Sequence, residues 1–345
     1  MNDYQIIFDN MLIEDLQVIL KVAECRSITA AATQLDMRVA PARAAVKRVE
    51  SVLGVELFIR TTRQLRLSNA GERYLPQCEQ ALLMLAQAKQ NVKEDLDIVD
   101  GEVRIALSSD LGRNVILPWL DEFMDTHPDV RLRASISDSN IDFYRDSVDM
   151  ALRYGSPTDA NVYGFKICNV PRVLCATQDY LMDSGLLEGD LVDSAAQSGS
   201  VNCGNRGNRV TVPLQKLQQY NALLYQLNDV LHDVWVFSDG EREQKIKVRG
   251  DRASNDADLV RRWCVSGKGL ASKSSLDMAA DLLAGRVISL DLEIPPEPSE
   301  LWLLFPSRQS ITPAARLLRD MLQEKCRALL NQLVEKGILD KKDLI

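Results

Sequence analysis

The stretch Ser27–Leu75, SITAAATQLDMRVAPARAAVKRVESVLGVELFIRTTRQLRLSNAGERYL, decides the fold. Ser27 has the side chain of a helix N-cap and opens the short helix TAAATQL, whose alanines permit close packing. Asp36-Met37 supplies a turn. A further helix begins near Ala40 and tolerates Pro41 in its first turn. It places Ala42, Ala45, Val46, Val49 and Leu53 on one face and stops at Gly54. Glu56–Ile59 and Leu65–Leu67 then read as two short strands around the polar, basic tip Arg60-Thr61-Thr62-Arg63-Gln64. Upstream, Leu12, Leu16, Ile19, Leu20 and Ala23 recur at helical spacing, so one more helix precedes Ser27. Helix, helix, turn, helix and hairpin make a winged helix-turn-helix, a unit whose third helix fits the DNA major groove.

Charge follows the same boundary. The chain carries a net charge of -8, yet the window from Arg26 to Arg66 holds eight basic residues against three acids. A basic module on an acidic remainder is the electrostatic footprint expected of one domain that meets phosphate. Downstream, Ser68 or Asn69 caps a long helix reaching about Leu96. In it Leu75, Cys78, Leu82, Leu85, Lys89, Val92 and Leu96 alternate by three and four residues. So narrow a stripe suits pairing with a second copy, and Leu75, Cys78, Leu82, Leu85 and Val92 are the expected dimerisation residues.

Beyond Gly101 the pattern changes to strands alternating with helices: Val103–Leu107, a helix around Val115–Met124, then Val130–Ile136, Met150–Arg153 and Arg172–Ala176. A helix follows at Ala257–Val265, and a last one at Thr312–Leu333. Such alternation predicts an α/β domain with parallel strands. The Gly/Ser/Asn-rich text between Leu186 and Val212 reads as a surface loop.

Catalytic chemistry has little to build on. His127 precedes a proline, His232 has no nucleophile or carboxylate pair at recognisable spacing, and Gly199–Gly204 lacks the Gly-Lys-Ser/Thr of a phosphate loop. An enzyme or solute-binding protein with an N-terminal fusion would require such a constellation in 102–330, so no enzyme activity and no cofactor are expected. Seven scattered cysteines without a C-x-x-C pair suit reduced thiols in the cytoplasm, with no metal site. No run of eighteen apolar residues exists, so no membrane association is expected.

The quoted stretch resembles the N-terminal signature of LysR-type transcriptional regulators: SITAAATQL matches AA-x-x-L, and the text from Lys47 matches LE-x-x-LG-x-x-LF-x-R and L-T-x-AG at the same spacing. GEVRIA, LPWLDEFMDTHPDVRLR, VDMALRYG, LCATQDYL, YNALLY before WVF, SNDADLVRRWCVSGKGLA and PSELWLLFPSRQSITPAARLLRDML resemble successive landmarks of that family's effector-binding domain. The resemblance implies an α+β multidomain chain. It comprises a winged helix-turn-helix at 11–69, a linker helix at 70–100, an effector-binding domain at 101–328 and a tail at 329–345. The effector domain would be periplasmic-binding-protein-like, with two Rossmann-like subdomains crossed twice by the chain: subdomain I at 102–173 and 275–328, subdomain II at 174–274.

The resemblance also implies the partners: double-stranded DNA carrying an interrupted inverted repeat, a small-molecule effector, further copies of the chain in a dimer or tetramer, and RNA polymerase. Two departures stand out. Arg38 and Arg43 occupy positions where the family often shows serine, and extra length lies between Tyr180 and Tyr220.

If Pro41–Leu53 is the recognition helix, its core positions leave Arg43, Ala44, Lys47 and Arg48 outward. Arginine can contact guanine O6 and N7 together, whereas Lys47 and Arg48 neutralise phosphate. Arg38 adds charge at the same surface; Arg60, Thr61, Thr62 and Arg63 form the wing tip, and Ser27 approaches phosphate while capping its helix. For the effector, the resemblance implies Ser108 and Ser109 after the first strand and Ser135, Ser137 and Ser139 after the next, with Asn255 and Asp256 on the opposite wall. Hydroxyls and free N–H groups there suit a small anion such as a carboxylate, although plain helix capping accounts for the same residues.

Overall fold

The computed structural model describes residues 11–60, 65–94, 99–143, 146–157, 162–186 and 211–344. They fall into two compact units, Met1–Asp97 and Ile98–Ile345.

The first unit packs α1 (Ile13–Cys25), α2 (Ile28–Gln34) and α3 (Val39–Leu53) around Ile19, Val22, Ala31, Ala42 and Val49, all fully buried. Asp36 takes a positive φ of 49° at the turn between α2 and α3, and Gly54 ends α3 with φ 68°. The hairpin of β1 (Phe58–Arg60) and β2 (Leu65–Leu67) is antiparallel, with Ile59 opposite Arg66. One carboxylate oxygen of Glu50, on α3, accepts from the Leu57 and Phe58 amides at 2.8 and 3.2 Å, which pins the wing to the recognition helix.

α4 (Asn69–Glu94) leaves the hairpin through Ser68, whose hydroxyl donates to the Glu56 carbonyl and accepts from the Gly71 amide. The inner part of the heptad stripe is used within the module itself. Leu75 and Cys78 are buried in the module's own core, and Leu82 packs against it, so these three do not belong to a free dimer seam. The first two turns of α4 supply apolar cover that α1 needs. Met84 and Leu85, by contrast, are exposed, at 59% and 53%. The side chain of Val92 lies outside the described residues, as do residues 95–98.

In the second unit, β3 (Gly101–Leu107) leads into a short helical turn, α5 (Ser109–Leu111), a π-helical segment Gly112–Ile116, and α6 (Leu117–Thr126). Next come β4 (Val130–Ile136), β5 (Met150–Tyr154) and β6 (Tyr163–Val170). The chain then enters a second lobe with β7 (Arg172–Ala176), α7 (Gln178–Asp183), β8 (Thr211–Val212), β9 (Asn221–Leu227), β10 (Val230–Leu231), β11 (Val234–Ser238), β12 (Glu243–Lys247) and β13 (Arg249–Ser254). After α8 (Ala257–Val265) it returns through β14 (Ala271–Ser274), α9 (Ala279–Leu283), β15 (Ile288–Ser289) and β16 (Asp291–Leu292) to β17 (Ser299–Phe305) and α10 (Pro313–Glu335).

The larger sheet has the order β4-β3-β5-β17-β6. β3, β4 and β5 are parallel, but β17 runs antiparallel to both β5 and β6, so the expected all-parallel domain is a mixed sheet. The reason is topological: β17 comes back from the second lobe and slots between two strands already laid down. In that lobe β9 pairs parallel with β13, while β7 pairs antiparallel with β14 and β15. Two apolar cores fill the lobes, one around Ile105, Leu152 and Phe305, the other around Leu174, Leu217 and Phe237.

The stretch expected as a tail from 329 begins inside α10, which runs unbroken to Glu335 and buries Leu330 and Leu333 in the first core, where Leu339 beyond the helix also packs. The presumed tail is part of subdomain I. Most of the expected loop, residues 187–210, lies outside the described residues; Leu186 and Val212, at its edges, are buried in the second core.

A Cβ at Gly71 would lie 2.4 Å from the Leu57 carbonyl oxygen, a backbone atom that cannot move alone. Gly71→Ala is therefore expected to destabilise the N-terminal unit by about 1–3 kcal/mol. Calorimetry of the full chain checks this, since an unshifted N-terminal transition would mean that the helix and hairpin are less tightly packed.

Candidate DNA-binding surface and effector cleft

α3 sits against α1 and α2 through Ala42, Ala45, Val46 and Val49, which leaves Arg43, Ala44 and Lys47 exposed in a row along the opposite face. Arg38 is the exposed N-cap of α3, with extended backbone. Ser27 caps α2, its hydroxyl accepting from the Ala30 amide at 3.3 Å. Arg60 closes β1, but its side chain and the tip residues Thr61, Thr62 and Arg63 lie outside the described residues.

Arg48 departs from expectation. Its guanidinium forms a two-pronged ion pair with Asp15, Nε to Oδ2 at 3.0 Å and Nη2 to Oδ1. Asp15 is 2% exposed and also caps α1 by accepting from the Leu12 amide. Burial pushes the Asp15 carboxyl up, but the hydrogen bonds from Arg48 and Leu12 outweigh it and hold the group below its usual 3.8. Arg48 thus ties α3 to α1 rather than offering a free charge to phosphate; sequence spacing placed it outward without showing that a buried acid lay within reach.

In the second unit, a cavity of ≈ 660 Å³ opens between the lobes. Ser109, Arg113, Ser137, Asp138 and Ser139 line it from subdomain I; Gln226, Asp229, Ser254, Asn255 and Asp256 line it from subdomain II. Of the seven expected effector residues, Ser109, Ser137, Ser139, Asn255 and Asp256 are brought together here. Ser108 and Ser135 are not among the lining residues. Ser135 is an exposed residue within β4, paired with Ala106. The next residue, Ile136, lines the cavity, and side chains alternate along a strand, so Ser135 lies on the other face. The Ser137 and Ser139 hydroxyls bond each other at 2.7 Å.

Asn255 and Asp256 do precede a helix, and Asp256 caps it, its Oδ1 accepting from the Asp258 and Leu259 amides. It also pairs with Arg113 across the cleft at 2.9 Å. Burial raises the Asp256 carboxyl, and the Arg113 hydrogen bond brings it down to a net lowered value. The π-helical segment aims this arginine, and the next residue, Asn114, reaches Asp258 at 2.8 Å. π-turns recur where a side chain must be redirected.

Three residues that sequence reading passed over meet at the cleft, Asp138 lining it and Tyr225 and Arg153 within reach of Asp138's charge. Asp138, between two expected serines, accepts from the Ser109 amide at 2.7 Å, the Ser109 hydroxyl at 2.5 Å and the Ala257 amide at 2.9 Å. Tyr225, on β9, adds its hydroxyl; burial first, and Asp138 second, push that phenol well above 10. Arg153 is the penultimate residue of β5, and both its terminal nitrogens are buried without a hydrogen-bond partner. Burial holds its guanidinium below the usual arginine value, against the pull of Asp138 and Tyr225. Arg153 reads in sequence as one more strand residue; the burial of its terminal nitrogens is decided by the fold.

Behind the cleft, Lys273 is in contact with Asp110, while Tyr154 bonds Ser274 and Asp277 at 2.7 and 2.6 Å. Burial raises the Asp110 carboxyl to about 7 despite Lys273. No group of three or more metal-ligating side chains occurs among the described residues.

A basic recognition helix in a winged module, joined to a two-lobed domain with a polar cleft, defines a DNA-binding transcription regulator with an effector domain. Residues 13–72 match the bacterial regulatory helix-turn-helix protein, lysR family, and residues 98–327 match the LysR substrate binding domain. The chain belongs to the LysR family, which consists of transcriptional regulators rather than enzymes. It is 25% identical over 313 residues to the HTH-type transcriptional regulator DmlR of Escherichia coli (strain K12), covering 91% of this chain and 94% of that one. It is also 25% identical over 297 residues to the HTH-type transcriptional activator TtdR of the same strain, covering 85% and 87%. Among solved structures, full-length OxyR from Pseudomonas aeruginosa shares the fold with a TM-score of 0.60 at 14% identity, covering 92% and 95%.

Arg48→Ala strands the buried Asp15 carboxylate. Breaking a fully buried pair costs about 3–5 kcal/mol, and the half-exposed position of Arg48 reduces the expected loss to about 2 kcal/mol. Because the folded Asp15 value is depressed, the pair's contribution is present above pH 3.8 and fades as pH falls through the depressed value. Urea melts of wild type and variant should therefore differ at neutral pH and converge in acid; a constant difference would exclude the pair as the cause.

Proposed function

We propose that this regulator reads an interrupted inverted repeat in double-stranded DNA through α3, with Arg43 as a base-reading residue and Lys47 as a phosphate contact. The observation that carries this reading is the placement of both side chains, exposed and one turn apart, on the face of α3 opposite its core. Arg38 extends the basic surface at the start of the helix, and Ser27 marks the N-terminus of α2, where backbone N–H groups suit a phosphate oxygen. Arg60, Thr61, Thr62 and Arg63 complete the contact at the wing tip. Two arginines where serine is common in the family favour a guanine-containing half-site.

Inverted-repeat recognition requires two copies of the module. The exposed Met84 and Leu85 support association through the outer half of α4, and a further pairing of dimers gives the tetramer. The effector is a small molecule bearing an anionic group, held in the cleft near Ser109, Ser137, Ser139, Asn255 and Asp256. Its binding shifts the balance between lobe arrangements and so the spacing of paired DNA modules, with RNA polymerase as the eventual partner. A cytoplasmic location accords with this role. No helix among the described residues is long and apolar enough to cross a membrane.

Binding to a randomised half-site library tests the assignment. Arg43→Ala should lose preference at one position, worth about 1–3 kcal/mol, while Lys47→Ala should weaken all sites alike and lower the salt slope by about 1. Unchanged preference in the Arg43 variant would remove α3 from base reading.

A further inference from the structure

Helix N-termini that face a cleft present amides with no partner in their own helix, and a closed two-lobed domain must satisfy them. Here the start of α8 meets the start of α5, and both are satisfied by one carboxylate of the same chain. Asp138 Oδ1 takes the Ser109 amide, and Oδ2 takes the Ser109 hydroxyl and the Ala257 amide at 2.9 Å. The Ser109 hydroxyl oxygen accepts in turn from the Ala257 amide at 2.8 Å, so Asp138 Oδ2, Ser109 Oγ and the Ala257 nitrogen form one closed triangle. Ser109 and Asp138 belong to subdomain I, Ala257 and Tyr225 to subdomain II. A negative charge thus sits at the position best furnished to receive one, held by neutral donors from both sides.

The complementary charge is displaced from it. The two terminal nitrogens of Arg153 are buried and neither makes a hydrogen bond, although the charge interacts with both Asp138 and Tyr225. An arginine buried without a partner is costly, and the cost is removed as soon as a carboxylate reaches it. The site therefore holds one anion and two places for an anion.

We propose that Asp138 is a resident anion of the effector cleft, an intramolecular ligand bridging the lobes through Ser109 and Ala257, which an incoming effector anion displaces toward Arg153. The proposal rests on the reading of this cleft as the effector site and adds its regulation. It makes the apo protein self-liganded. An effector must outcompete a tethered carboxylate, so a weak or misfitting anion leaves the lobes as they are. With Asp138 moved, the lobes keep the Arg113–Asp256 and Asn114–Asp258 contacts, but the bridge at the helix starts passes through the effector. The cavity's remaining acid at the subdomain II rim, Asp229, is exposed and touches none of these donors, which makes it the control for simple removal of negative charge.

The experiment is titration calorimetry of the full chain with sodium acetate at constant ionic strength, in the presence and absence of operator DNA. Asp138→Ala should bind acetate at least tenfold more tightly than wild type, and Asp229→Ala should bind as wild type does. Adding Ser109→Ala to Asp138→Ala should abolish the gain, since it removes one of the nest's donors. Should the alanine variant fail to fold, Asp138→Asn, which keeps the shape and loses the charge, is read against the same threshold. Equal affinity in wild type and the Asp138 variant, or an equal gain in Asp229→Ala, overturns the proposal. A gain that leaves DNA occupancy insensitive to acetate upholds Asp138 as resident anion and overturns the effector reading of the cleft.

Discussion

Backbone N–H groups at the first turn of a helix cannot be satisfied within that helix, and the second unit of this protein is organised around that constraint. α8 begins at the seam between the lobes. Its first amide goes to Asp138 and Ser109, the next two to Asp256, and the carboxylate of Asp256 is itself held by Arg113 from the opposite lobe. The π-helical segment, the loop after β4 and the end of β5 are all placed so that acids and donors converge there. The contacts that join the lobes here are also the contacts that satisfy this helix terminus.

The N-terminal unit solves a different problem: it must expose cations while remaining a small stable core. It does so by division of labour along α3. Arg43 and Lys47 stay outward, whereas Arg48, one position on, is drawn to the buried Asp15 and becomes a strut between α1 and α3. Glu50, on the same helix, fastens the hairpin. A recognition helix with a net positive face is thus held in place by its own acidic contacts, and the macrodipole adds to the attraction for phosphate at its start.

Helical and strand periodicity were legible wherever one face is buried and the other is wet. The three helices of the first unit, Gly54 as a stop and the hairpin pairing all follow from local patterning. The heptad stripe of α4 was legible too, but not its use. Leu75 and Cys78 look like any seam residues until the fold shows that α1 covers them. In the cleft, serines drew notice because hydroxyls near helix starts have a recognisable role. Asp138 stood between two of them, yet a loop aspartate in sequence is most simply a solvated one. Arg153 had no local signal at all.

The sequence by itself determined what depends on near neighbours along the chain: helix lengths and caps, the basic character of one module, the alternation of strands and helices, and family membership through motif spacing. Tertiary structure decided what depends on residues far apart meeting. Asp15 and Arg48 are separated by 33 positions, Asp138 and Ala257 by 119, and each pair matters because burial raises the cost of leaving either member alone. Desolvation is a property of the folded whole. No reading of local order predicts which charges it will isolate.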